Sequence, residues 1–87
     1  MTRPSLSPFE EKLLLCLLAY YREFGPGANP ALSALDEEAG ILRHELDDAV
    51  RGLWEKGLIE YWALKPAIRL NASGLRIGMA IEGDSKG

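Results

Sequence analysis

"RHELDDAVRGLWEKGLIEY", Arg43 to Tyr61, decides how this chain folds, because the hydrophobic period changes within it. Leu46, Ala49, Val50 and Leu53 recur at three- and four-residue intervals, the spacing of one buried helical stripe, and Trp54 flanks that stripe. After Gly57 the run "LIEYWAL" is rich in branched and aromatic residues, and "AIRL" follows it across a tight "KP" tip. The stretch therefore predicts a helix starting near Leu42 or Arg43, a stop at Gly57, and the first strand of a β-hairpin.

Upstream, "SPFE" announces a first helix: Ser7 can cap it, Pro8 fits the first helical position, and Glu10 can close a capping box. Gly25, with Pro26 after it, supplies the stop. Phe9, Leu13, Leu17, Tyr20 and Phe24 gather on one face, and Leu14, Leu18 and Tyr21 widen it. Leu15 falls on the far side, near Glu11 and Arg22. An 87-residue domain can hardly bury a helix on every side. Two explanations are open: Leu15 and Leu18 form a dimer contact, or Leu15 is one exposed leucine of an ordinary kind.

A second helix is expected from "NPAL", with Asn29 as cap and Pro30 at the first helical position, to Gly40. Leu32, Leu35 and Ala39 form its inward edge, and Asp36, Glu37 and Glu38 its solvated side. At the far end, "NASGLRIGMAI" offers a cap at Asn71 and a last short helix weakened by Gly74 and Gly78, before the polar "EGDSKG" frays. The expected organisation is one domain over residues 7–81, between a flexible start at 1–6 and a flexible tail at 82–87.

Composition bounds the function classes. Apolar residues at 47% and charged residues at 26% match a folded globular domain, and the net charge of −3 gives no general attraction to nucleic acid. Cys16 is the only cysteine and His44 the only histidine, so no disulfide can form within the chain and no zinc site of usual ligand count can be built. Leu13 to Tyr21 is too short to span a bilayer, and Glu10 and Glu11 precede it where a signal peptide would carry positive charge. A cytoplasmic protein without membrane contact is expected. No glycine-rich phosphate loop is present, His44 has no cysteine partner nearby, and Asp47 and Asp48 point to different sides of their helix, so neither an enzyme nor a cofactor is expected. Cys16 reads as a small core residue.

Three helices, a hairpin and a short helix make an α+β fold, mainly α, in the order of the winged helix-turn-helix. "LSALDEEAGILRHELDDAVRGLWEKGLIEY" resembles that family's pattern of a short helix ending in Ala, acidic residues and Gly, then a turn, then a helix closing on "L-x-x-K-G-L-I". "IRLNASGLRIG" resembles the return strand and closing segment of winged-helix regulators related to the multiple-antibiotic-resistance regulator. The resemblance covers roughly Phe9 to Met79 and implies a transcriptional regulator whose third helix enters the major groove of duplex DNA, with the hairpin as wing. The matching residues are core and turn positions, while function lives on exposed ones.

The exposed face of the third helix is expected to carry His44, Asp48, Arg51 and Glu55, with Glu45, Asp47 and Gly52 beside them. His44 with Asp48, Asp47 with Arg51, and Arg51 with Glu55 are each four residues apart, so a self-paired, solvated face is expected. An acidic residue there works against phosphate attraction, yet it can accept a hydrogen bond from cytosine. Cations are available at Arg43, Arg51, Lys56, Lys65, Arg69 and Arg76, and Tyr61 to Ile81 contains three positive charges and no acidic residue. Arg43, His44, Asp47, Arg51, Lys65 and Arg69 are the candidate DNA-binding residues. The alternative is a protein-interaction winged helix that offers Asp47, Asp48 and Glu55 to a basic partner or its apolar first helix to another subunit. Gly52 costs a helix about 1 kcal/mol relative to alanine, and marks either a close contact or drift in a tolerant position.

Overall fold

Ser7 and Glu10 satisfy each other's backbone at the start of the first helix. The Ser7 hydroxyl accepts from the Glu10 N–H at 3.2 Å, and the Glu10 carboxylate accepts from the Ser7 N–H at 2.8 Å. The capping box expected from "SPFE" is thus formed, with Pro8 opening helix α1, Pro8–Phe24. The structure is a computed structural model that describes residues 6–25, 32–62 and 67–86. The expected cap at Asn29 and Pro30 and the hairpin tip at Lys65 and Pro66 lie outside the described residues.

Helices α2, Leu32–Ala39, and α3, Arg43–Glu55, end alike. Gly40 and Gly57 both adopt φ +72°, a backbone conformation that any side chain would strain. Each allows the next amide to reach back five residues, Ile41 to the Asp36 carbonyl at 2.9 Å and Leu58 to the Leu53 carbonyl at 3.0 Å. That pattern satisfies carbonyls a helix end would otherwise leave open, and it buries Ile41 and Leu58 as the chain departs.

The hairpin is antiparallel, β1 at Ile59–Trp62 and β2 at Ala67–Leu70, with Ile59 opposite Leu70, Glu60 opposite Arg69 and Tyr61 opposite Ile68. The last helix, α4 at Ala72–Lys86, is capped as expected: the Gly74 N–H donates to Asn71 Oδ1 at 2.8 Å. The other end of that amide donates to the Gly57 carbonyl at 2.7 Å, so Asn71 ties the start of α4 to the turn after α3.

Two expectations about α4 need correction. It is not short, and it continues through residues 82–86, which composition assigned to a fraying tail. Ile81 is buried, and Arg22 of α1 holds Glu82 by two hydrogen bonds of 2.6 Å, which keeps the helix docked. Gly74 also does more than weaken a helix. A Cβ there would run into the Leu58 carbonyl oxygen, so glycine is what lets α4 lie against the backbone of Leu58, just before β1.

The core forms around α1. Leu13, Leu14, Leu17 and Leu18 pack with Leu35, Leu46, Leu53, Ile68 and Leu70 from the other elements, as the apolar periods predict. Each fully buried leucine contributes about 2 kcal/mol. This is the winged-helix order: α1 as the central post, α2 and α3 as the helix-turn-helix, and β1 and β2 as the wing. It leaves the outer face of α3 in solvent.

Candidate nucleic-acid interface

The α3 helix presents two faces. Leu46, Ala49, Val50 and Leu53 are buried, whereas Arg43, His44, Asp47, Asp48, Arg51 and Glu55 are exposed. The buried stripe faces α1 and fixes the helix, so the outer residues are free of any packing duty. Glu45 is the exception among the acidic residues. Its carboxylate accepts from the Leu42 N–H at 2.8 Å, satisfying an amide at the helix start and placing negative charge at the positive end of the helix dipole.

The self-paired face does not form. Among the described residues Asp47, Asp48, Arg51 and Glu55 take part in no ion pair. Four-residue spacing brings side chains within reach of each other, but on an open surface the entropy of two long side chains offsets most of the gain. The cations expected to face DNA are instead engaged elsewhere. Arg43 Nε lies 3.9 Å from Asp36 Oδ2 of α2. Lys56 donates to both oxygens of Glu10, at 2.7 and 2.8 Å. Arg69 donates through Nε to Glu60 at 2.9 Å, across the hairpin ladder. Asp36 is accordingly a half-buried partner of Arg43 rather than part of a solvated side.

Gly52 is explained by the same arrangement. A Cβ at this position would overlap the Glu10 carboxylate, so the missing side chain gives Glu10 room beside α3 and next to Lys56. Of the two readings, close approach is the one with a structural counterpart. The signal was present in the sequence only as an unexplained glycine inside a helix.

Between α3 and β1 lies a groove of about 470 Å³ lined by Asp47, Val50, Arg51, Trp54 and Tyr61. Trp54 is 58% exposed and Tyr61 42% exposed, so both rings line it while facing solvent. Tyr61 shares a strand face with the buried Ile59 but lies two residues nearer the tip, where α3 no longer covers it. The sequence reading missed both aromatics as site residues. Period-two alternation from Ile59 would have placed Tyr61 on the α3 side, and the edge position of Trp54 would have placed it beside the groove.

The structure brings Asp47 and Arg51 together, leaves His44 exposed outside that groove, and joins Arg43 to α2 and Arg69 to Glu60. Lys65 lies outside the described residues. Leu15 and Leu18 part company. Leu18 is 1% exposed and packs over Gly78 of α4, inside the chain's own core. Leu15 is half-buried and lines a second cavity of about 650 Å³ with Lys12, Cys16, Tyr20, Phe24 and Glu38. There the neighbouring Glu38 carboxylate, followed by burial, pushes the Tyr20 hydroxyl up to about 12, and burial, followed by the Glu38 charge, pushes the Cys16 thiol up. A raised thiol is the inert form, in keeping with a packing role. No described helix is long and apolar enough to cross a membrane.

Comparison with solved structures bears on the fold. Neither a family model nor a curated protein matches the sequence. The structure is similar to MepR, a transcription regulator of the Staphylococcus aureus multidrug efflux pump MepA, with a TM-score of 0.72 at 17% identity over 91% of this chain. It is similar also to a MarR family regulator from Neisseria meningitidis, with a TM-score of 0.60 at 14% identity over 85% of this chain. The chain spans 57% and 54% of those two proteins. Its fold is the winged helix of these transcription regulators.

Proposed function

We propose that the chain binds duplex DNA as a cytoplasmic transcriptional regulator, with α3 in the major groove and the β1–β2 hairpin as wing. The observation that carries this reading is the fold shared with two transcription regulators, in which α3 keeps His44, Asp47, Asp48 and Arg51 in solvent. Arg43 and Arg69 have the carboxylate neighbours Asp36 and Glu60, so they add little to phosphate attraction and the dependence on salt is shallow. Lys65, in the chain segment between β1 and β2, adds a positive charge. Fluorescence anisotropy of the chain with a labelled random-sequence duplex pool at low salt tests the reading. Binding that weakens with added salt and on Arg51→Ala or Lys65→Ala is expected, and no salt-sensitive binding to any duplex would sink it.

A homodimer belongs to the same proposal, since twofold DNA half-sites call for two copies. The face available for it is the one around Leu15, with Phe24 63% exposed at its end. Sedimentation equilibrium at micromolar concentration should give twice the monomer mass, and a strict monomer refutes this part.

The second reading is a protein-interaction module, favoured by Trp54 and Tyr61, both exposed and both lining the groove that Asp47 also lines. Tryptophan, tyrosine and arginine together are the residues that dominate protein contacts. Pull-down with wild type and with Asp47 and Asp48 changed to lysine separates the readings: an unchanged set of captured proteins counts against an acidic docking face.

A further inference from the structure

The groove between α3 and β1 bears on which DNA sequence is selected as well as on whether DNA is bound. Resting on the proposed DNA-binding function, we infer that Asp47 and Arg51 are base-reading residues that select G·C pairs in the target site, Asp47 by accepting from a cytosine amino group and Arg51 by donating to a guanine.

Three features carry this. Both side chains line one groove on the exposed side of α3, and neither is in an ion pair among the described residues, so both have hydrogen-bonding capacity to offer. Their chemistry is matched to the major-groove edge of one kind of base pair. A carboxylate only accepts and the cytosine N4 amino group donates, while the guanidinium fork donates twice and guanine N7 and O6 accept. Their spacing also fits. Four residues advance about 6 Å along a helix, and stacked base pairs rise about 3.4 Å, so the two side chains address pairs one or two steps apart.

The surroundings sharpen the choice. Val50, Trp54 and Tyr61 form apolar walls around the two charges, and less water at the contact makes an unmatched partner more costly. His44 and Asp48 are exposed on the same helix but do not line this groove. The opposite charges of Asp47 and Arg51 cancel, so the pair adds discrimination without adding net attraction to phosphate. A carboxylate near the wrong base meets an acceptor and repels it, which makes Asp47 a selector by rejection.

Repeated selection of bound duplexes from a random pool, followed by anisotropy on single-pair variants of the selected site, tests the inference. The wild-type chain should enrich G·C pairs at one or two positions of each half-site, with about tenfold weaker binding when one is replaced by A·T. Asp47→Ala should lose the cytosine preference while binding unrelated duplexes more tightly, because a negative charge near phosphate has gone. Arg51→Ala should lose the guanine preference and overall affinity together. If the wild type binds duplex DNA but the double variant keeps every base preference, or if the selected positions are A·T, the inference is overturned and DNA binding stands. Absence of binding to any duplex overturns both.

Discussion

Lys56, just past the end of α3, donates to both carboxylate oxygens of Glu10 in the first turn of α1, at 2.7 and 2.8 Å, in space left open by Gly52. Glu10 is 6% exposed and simultaneously accepts from the Ser7 amide. One carboxylate thus caps α1 and anchors the far end of α3. Removing the half-exposed Lys56 leaves the buried Glu10 carboxylate without its partner, so Lys56→Ala should cost about 2 kcal/mol in urea denaturation.

Gly52→Ala has a sign that depends on Glu10. Alanine favours a helix by about 1 kcal/mol, but its Cβ would displace the Glu10 carboxylate. The substitution should fail to stabilise the wild-type chain, and should stabilise it by about 1 kcal/mol when Glu10 is already alanine. Equal effects in the two backgrounds would show that Gly52 answers to something other than Glu10.

Gly74→Ala should be costlier, because the obstacle is backbone. The Leu58 carbonyl oxygen that blocks a Cβ also accepts from the Asn71 amide at 3.2 Å, so it cannot retreat without loosening the start of α4. A loss of about 2 kcal/mol or more is expected despite the helical preference for alanine. Unchanged stability would contradict the close approach of α4 to the Leu58 backbone.

These three positions also mark where the sequence was legible. Local signals were read directly: the Ser7–Glu10 box, the stops at Gly25, Gly40 and Gly57, the Asn71 cap and the buried stripe of α3 all depend on neighbours within a few residues. The longer reach of the same residues was not. Glu10 to Lys56, Arg43 to Asp36, Arg69 to Glu60 and Glu82 to Arg22 join segments that meet only once folded. For that reason the α3 face was expected to pair with itself, and the end of α4 to fray. The groove was half legible, since Asp47 and Arg51 were named from the helix but Tyr61 comes from the next element.

Tyr20 provides a pH test of the α1–α2 surface. Its phenol is pushed up to about 12 by the neighbouring Glu38 carboxylate and by burial. By linkage, a raised pKa favours the protonated form in the folded chain. That stability is complete below pH 10, the ordinary tyrosine value, and is lost as pH rises from 10 towards 12. In phenolate absorbance titrations, the component missing from Tyr20→Phe should ionise well above pH 10, and Glu38→Ala should bring it down.

The engagement of Arg43, Lys56 and Arg69 with carboxylates predicts a shallow dependence on salt. With about two phosphates neutralised per chain, the slope of log affinity against log salt should lie near −2 per chain. A slope steeper than about −5 would mean that these pairs dissolve on the DNA and all the basic residues turn to phosphate.

Whether the outer face of α3 is the surface that meets DNA is tested most directly by amide chemical-shift mapping of the chain titrated with its selected duplex, which reports every segment at once. Shifts concentrated at Arg43 to Arg51 and at the residues flanking the hairpin tip are predicted, with α1 around Leu15 and Phe24 undisturbed by DNA itself. Shifts confined to α1 and α2, or none at saturating duplex, would contradict it.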